Sequence, residues 1–203
     1  QFLNPTSAPV AADFPLAFVR GNHDVRGPAA RHLGDFTATP DNQYFYWLRL
    51  GPVACLFMDT GEDKPDDHPV YGGLNDFNAF RERQGKWLAK VIEEPDFKAA
   101  PFKVLFCHIP LRWNTDKPWL SLDSRKFWHD SLVKGGVKLV VSGHTHHEAF
   151  IPANDDFPYA QLVGGGKKID DATIIRMKAN ASELSFECKL LAGKLLSSHT
   201  FKA

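Results

Sequence analysis

Three apolar runs of this sequence each lead into a polar loop that carries histidine. FPLAFV leads into RGNHD at residues 20–24, FKVLFC into HIP at 108–110, and VKLVV into SGHTHH at 142–147. Loops that follow parallel strands gather at one edge of a sheet, so we expect these distant segments to meet. Imidazole is the commonest protein metal ligand, and histidines with an asparagine carbonyl suit a first-row divalent cation better than calcium or magnesium. The pattern therefore predicts a metal site at a sheet edge.

Short apolar runs elsewhere predict further strands. A buried strand is expected over residues 15–19, after a lead-in segment at 1–13 that is rich in Pro, Ala and Ser. The runs at 44–50 and 53–58 predict a hairpin, because Gly51-Pro52 between them is a turn signal. Later strands are expected over residues 137–141, 159–163, 173–177, 184–190 and 195–201.

Two segments have apolar residues at helical spacing. The first helix is expected to start at Asn75 or Asp76 and to end by Pro95. The second is expected to start near Asp123 or Ser124, to bury Val133 among other residues, and to stop at Gly135-Gly136. Strands alternating with helices predict an α/β or α+β fold, and 203 residues predict about one domain.

The balance of charge limits the classes of partner. The chain has 24 basic and 24 acidic side chains, so no strong field would steer a polyanion to it. This disfavours a nucleic-acid substrate without excluding it. The sequence has no run long enough to span a bilayer and no signal-peptide pattern, and its localisation stays open. Cys55, Cys107 and Cys188 lie in apolar runs, which predicts buried free thiols rather than a disulfide framework.

In their order, the three histidine loops resemble the signature of the calcineurin-like metallophosphoesterases, which include the purple acid phosphatases. The family pattern is D-x-H, G-D-x-x-[DY], G-N-H-[DE], a strand ending in His, and G-H-x-H. The chain carries the last three as Gly21-Asn22-His23-Asp24, Cys107-His108 and Gly143-His144-Thr145-His146. The first two motifs do not precede Gly21 in this sequence. We therefore expect residues 1–203 to be the C-terminal portion of a single metallophosphoesterase domain.

The resemblance implies a role for each matching residue. Asn22, His108 and His144 would bind the second metal of a dinuclear centre, and His146 the first. His23 would donate a proton to the leaving group, with Asp24 orienting its ring; a turn cap is an equally weighted interpretation of Asp24. The metals implied are divalent Mn, Fe, Zn or Ni, and the substrate a small phosphomonoester or phosphodiester.

The resemblance also implies a fold, a four-layer αββα sandwich with mixed sheets, of which this chain would lack the N-terminal strands. An open sheet edge would then invite self-association. Because the absent motifs supply the carboxylate ligands, we expect the isolated chain to bind metal weakly and to have little phosphatase activity. The loop at 59–73, the segment at 113–119 and the turn at 154–158 are expected to shape the pocket.

Two other functions fit parts of the pattern. A non-catalytic binding or regulatory module could keep the scaffold and part of the metal site. A mononuclear zinc hydrolase of another class is disfavoured, because the sequence has neither H-E-x-x-H nor paired cysteine motifs.

Overall fold

Two sheets and one layer of helices form the part of the chain that the computed structural model describes. Those residues are 16–35, 37, 39–40, 43–113 and 122–203. The predicted lead-in at 1–13 lies outside them, as does most of the 113–119 segment. None of the helices in these ranges is long and apolar enough to cross a bilayer.

The elements follow one another in the alternating order that the sequence predicts. The strands are β1 (Tyr46–Leu50), β2 (Val53–Phe57), β3 (Phe102–Phe106), β4 (Leu139–Ser142), β5 (Ala149–Ile151), β6 (Ala160–Val163), β7 (Thr173–Ala179), β8 (Glu183–Leu190) and β9 (Leu195–Lys202). The α-helices are α1 (Phe77–Val91), α2 (Pro95–Lys98) and α3 (Leu122–Lys134), and short 3₁₀ segments span Ala30–Asp35 and Pro69–Tyr71.

The larger sheet is mixed and has the strand order β1-β2-β3-β4-β6-β5. β1 and β2 form the predicted antiparallel hairpin, and β5 pairs with β6 in the same antiparallel sense. The three central pairings, β2 with β3, β3 with β4 and β4 with β6, are parallel. The loops after β2, β3 and β4 therefore leave the sheet at the same edge, which brings together the histidine segments at 108–110 and 142–147.

Each face of the larger sheet is covered by a different layer. On one face, α1 and α3 bury Leu88, Trp128 and Leu132 against apolar side chains of the central strands. On the other face, the antiparallel sheet β7-β8-β9 contributes Leu184, Phe186 and Cys188 to a second core. The result is a mixed sheet packed on a second sheet, as the resemblance implies. Among the described residues the second sheet is antiparallel, not mixed, and one layer of helices is present instead of two. All three cysteines are free and buried, as predicted.

Some sequence predictions are wrong in detail. Residues 16–19 of the predicted strand at 15–19 form no strand, and Leu16 is 51 % exposed. An apolar run becomes a strand only where a neighbouring strand pairs with its backbone. Val133 is 39 % exposed rather than buried. The three-residue strand β5 was not predicted, because so short a run carries no clear period.

Candidate metal centre

Backbone pairing fixes the loops after β3 and β4 against each other. The amide of Cys107 donates to the carbonyl of Val141 at 3.0 Å, and the amide of Gly143 donates to the carbonyl of His108 at 3.0 Å. The ladder between these strands thus continues into the loops. It places His108 and His144 side by side, with ring centroids 5.2 Å apart.

The loop of residues 20–24 packs against the same point. A Cβ atom on Gly21 would lie 3.1 Å from the imidazole of His108, so glycine allows the ring to approach the backbone closely. The amide of Gly21 also donates to Asp24 Oδ2 at 2.8 Å, which closes the turn. Asn22 is thereby buried, at 2 % exposure, with its side chain directed at His108.

Three ligand atoms converge in this position. Asn22 Oδ1 lies 3.1 Å from His108 Nε2, and His144 Nδ1 lies 3.3 Å from the same nitrogen. Two ligands that each bind one cation at about 2.0–2.1 Å lie about 2.8–3.0 Å apart at octahedral angles and about 3.3–3.4 Å apart at tetrahedral angles. The donor set is borderline-soft nitrogen with one oxygen, which suits first-row divalent metals. These three side chains therefore fit one divalent cation.

The centre is poor in negative charge. Within the described ranges, no three His, Cys, Asp or Glu side chains are grouped so that they could hold a metal ion. The converging set consists instead of two imidazoles and one amide, which are all neutral as ligands. This composition is consistent with the weak metal binding that we expect of the isolated chain.

The other predicted site residues lie around the same cavity. His23, Asp24 and His146 line it together with the three converging ligands. His144 and His146 have φ values of 68° and 61°, in the left-handed region that few residues other than glycine adopt. Such local strain is found preferentially at functional sites. The hydrogen bond from Gly21 supports the turn-cap interpretation of Asp24, and the proton-donor role of His23 stays a prediction.

Burial keeps the two central imidazoles neutral. It is the main reason that the pKa of His108 falls from 6.5 to about 4, with neighbouring histidines, His144 first, as a further cause. The pKa of His144 is also lowered, mainly by burial, although the carboxylate of Asp63 opposes the shift. A histidine binds metal only when neutral, so both rings are in the ligating form at neutral pH.

The loop after β2 brings acidic residues to this edge of the sheet. The sequence predicts that the 59–73 loop shapes the pocket but indicates no role for its carboxylates. Asp63 lines the cavity, and its Oδ2 lies 4.0 Å from His144 Nε2. The sequence signal was the position of the loop directly after a central parallel strand.

Two arginines that could have met a phosphate are instead paired with this loop. Arg20 donates from Nε to Asp59 Oδ2 at 2.5 Å, and Asp59 is fully buried. Arg26 donates to both carboxylate oxygens of Glu62, each at 2.6 Å. Both pairs tie the Asn22 loop to the loop after β2.

The cavity has a volume of about 530 Å³ and a polar lining. Its wall also contains Lys64 and Trp113. The turn at 154–158 was predicted to shape the pocket but does not line this cavity. The reason is topological: this turn precedes β6, which runs parallel to β4, so it lies at the opposite edge of the sheet from the histidine loops.

Comparison with known proteins agrees with this geometry. The family profile described as calcineurin-like phosphoesterase matches residues 1–148. Serine/threonine-protein phosphatase CPPED1 of Bos taurus is 31 % identical over 147 residues, which are 69 % of this chain and 44 % of the relative. The Homo sapiens protein of the same name is 29 % identical over 143 residues, which are 66 % of this chain and 42 % of the relative. The chain thus spans less than half the length of these relatives.

A solved structure shares the fold. The purple acid phosphatase PPD1 from yellow lupin (Lupinus luteus) seeds matches with a TM-score of 0.65 and 15 % identity, over 90 % of this chain and 37 % of that one. The family profile covers all three histidine motifs. The chain belongs to the calcineurin-like phosphoesterase family.

Proposed function

We propose that this chain is part of a metal-dependent phosphoric ester hydrolase whose complete site is dinuclear. The observation that carries the proposal is the convergence of three possible ligand atoms. Asn22 Oδ1 lies 3.1 Å and His144 Nδ1 lies 3.3 Å from His108 Nε2. The family membership of the chain supports the same reaction class. Asn22, His108 and His144 would hold one cation, and His146 would reach towards the other.

The roles of the residues follow from their placement. When bound, the metal pair would supply a hydroxide of depressed pKa and would neutralise charge on the phosphoryl oxygens. His23 is exposed at the cavity and can give its proton to the departing alkoxide oxygen. Asn22 and His108 are positioned by the contacts of their loops, so they can hold the cation without rearranging.

The substrate class is proposed from the named relatives. Proteins called serine/threonine-protein phosphatases are 29–31 % identical to this chain over about two thirds of its length. Phosphoserine and phosphothreonine esters are therefore the first substrates to test. The cavity of about 530 Å³ is large enough for such a group.

The deficit of carboxylates leads to a second part of the proposal. Three neutral ligands leave the charge of a divalent ion without compensation, so the isolated chain should bind one ion weakly and turn over little substrate. This follows from the composition of the converging group described above.

The test measures metal content and turnover in the same preparations. The isolated chain and the product of its complete reading frame are dialysed against Mn²⁺ or Zn²⁺ and assayed with p-nitrophenyl phosphate and a phosphoserine peptide. We expect the longer protein to hydrolyse phosphoester, and both His108→Ala and His23→Ala to abolish most of that rate. Asp67→Ala, which removes an exposed carboxylate outside the cavity, is the matched control.

Each outcome is informative. A longer protein that binds metal through His108 but hydrolyses no phosphoester would favour the binding or regulatory module. Two tightly held ions in the isolated chain, or robust turnover that vanishes in its His108→Ala variant, would contradict the proposed half-site.

A further inference from the structure

Asp63 faces the ring nitrogen of His144 that points away from His108. His144 directs Nδ1 towards His108 Nε2 at 3.3 Å. Its other ring nitrogen, Nε2, points to Asp63 Oδ2 at 4.0 Å. The carboxylate and the ligand group thus lie on opposite sides of one imidazole, within the same cavity wall.

The loop that carries Asp63 is held from two sides. Arg81, which is 1 % exposed, donates to the carbonyl of Thr60 at 2.9 Å and to the carbonyl of Glu62 at 2.5 Å. The carboxylate of Glu62 is in turn bound by Arg26, as described above. These contacts fix the loop up to Glu62, the residue directly before Asp63, and so limit where the Asp63 carboxylate can lie.

Two neighbouring side chains hold the carboxylate of Asp63 in place. Lys64 Nζ lies 2.9 Å from Oδ1, and the Tyr71 hydroxyl lies 3.2 Å from the same oxygen. Lys64 Nζ also lies 3.1 Å from Oδ2, the oxygen that faces His144.

An imidazole that binds a metal through one nitrogen usually donates the N–H of the other to a carboxylate or carbonyl. That donation fixes the tautomer and the ring orientation, and it makes the ligating nitrogen more basic. The 4.0 Å separation exceeds a hydrogen bond, and a shift of about 1 Å closes it. Given the proposed metal site, on which this inference rests, we propose that Asp63 is a positioning residue that orients His144 for metal binding through Nδ1.

The competing interpretation is that Asp63 serves only the local structure of its loop, through Lys64 and Tyr71. The two interpretations differ in what a neighbouring substitution does. Tyr71→Phe removes a hydrogen bond to Asp63 but keeps its carboxylate beside His144. Asp67→Ala removes an exposed carboxylate from the same loop.

The experiment is a Co²⁺ titration of the 203-residue chain, followed by calorimetry and by the visible absorption of the bound ion. We expect Asp63→Ala to raise the dissociation constant about 10- to 100-fold, the usual effect of losing such a partner. Asp63→Glu should recover part of the loss, and Tyr71→Phe and Asp67→Ala should stay close to the wild type. The absorption spectrum of the saturated Asp63→Ala variant should match the wild type, because the ligands are unchanged.

Proton NMR of the Co²⁺-bound chain adds a signature that a structural role would not give. The N–H of a cobalt-bound imidazole is a strongly shifted, exchangeable resonance, and its acceptor protects it from exchange with water. We expect two such resonances in the wild type, from His108 and His144. The His144 resonance should disappear selectively in Asp63→Ala.

An unchanged dissociation constant in Asp63→Ala would overturn the assignment, as would an equal loss of Co²⁺ affinity in Asp67→Ala. A changed absorption spectrum of the saturated Asp63→Ala variant would also overturn it, because Asp63 would then be a direct ligand. A wild-type chain that binds no Co²⁺, or binding that His108→Ala does not weaken, would instead overturn the metal site itself. The role of Asp63 would then fall with it.

Discussion

Arg20→Met removes the partner of a carboxylate that has no access to water. Both Nε and Nη2 of Arg20 lie 2.5 Å from Asp59 Oδ2, and the Asp59 side chain is 0 % exposed. Breaking a buried ion pair by removing one partner costs about 3–5 kcal/mol, because a charge is left buried without compensation. Arg20 is itself 13 % exposed, so we expect about 3 kcal/mol, the lower end of that range. Methionine keeps an apolar stem over the Tyr44 ring, where the guanidinium now lies at 3.9 Å.

The loss should depend on pH in a defined direction. Burial raises the pKa of Asp59 above 3.8, and the charge of Arg20 opposes that shift. A carboxyl with a raised pKa in the folded state binds its proton more tightly than in the unfolded chain. The stability that proton binding by Asp59 gives the folded state is therefore complete at low pH, and it is lost as pH rises through the folded-state pKa of Asp59. Without Arg20 the pKa of Asp59 rises further, so Arg20→Met should lose more free energy of unfolding relative to the wild type at pH 8 than at pH 5.

Urea denaturation followed by circular dichroism measures the effect at both pH values. The wild type, Arg20→Met, Asp59→Asn and the double variant form a cycle, and the double variant should lose about 2 kcal/mol less than the sum of the single losses. Arg83→Met is the matched control, because Arg83 is exposed and lies over the Phe80 ring. A loss below about 1 kcal/mol for Arg20→Met at pH 8, or additivity in the cycle, would refute the reasoning.

Three further outcomes follow from the packing and the charges. Gly85→Ala should lower the thermal midpoint, although alanine favours helices, because its Cβ would lie 2.6 Å from the Phe127 carbonyl oxygen; a raised midpoint would contradict this. Gly61→Ala should cost about 1–3 kcal/mol in urea denaturation, since φ is 64° and the new Cβ would lie 2.3 Å from the Phe77 ring; an unchanged midpoint would argue against it. Burial lowers the pKa of His108 from 6.5 to about 4. Between these pH values the unfolded metal-free chain takes up a proton that the folded chain does not. The free energy of unfolding should therefore fall by up to about 3 kcal/mol as pH falls from 6.5 to 4. His108→Gln should flatten that dependence in denaturation curves recorded with EDTA, and equal slopes would show that His108 is not its source.

Much of the fold could be predicted from local pattern. The hairpin around Gly51-Pro52 was found because a turn signal separates two apolar runs, and both long helices were found because their apolar residues recur at helical spacing. The strand at 15–19 failed for residues 16–19, since strand formation depends on a paired neighbour that a local pattern does not reveal.

Some residues of the candidate site could likewise be predicted from the sequence, and others could not. Asn22, His108 and His144 were predicted from their positions after apolar runs and from the family resemblance of their motifs. The parallel pairing of β3 with β4 brings His108 and His144 together, whereas Asn22 is placed by the close approach of Gly21 to His108. Asp63 was not assigned a role, because its neighbours in the sequence do not reveal that it faces His144, which is 81 residues away in the numbering. The pairing of Arg26 with Glu62 was hidden for the same reason.

The sequence by itself determined which side chains could serve as ligands and where each loop begins, because residue type and apolar periodicity are local properties. Only the tertiary structure decided which nitrogen of each imidazole faces the centre, which carboxylate stands behind His144, and which arginines are already paired. Those features depend on distances between atoms from separate strands, and such distances are set by the register of the sheet and the packing of its loops.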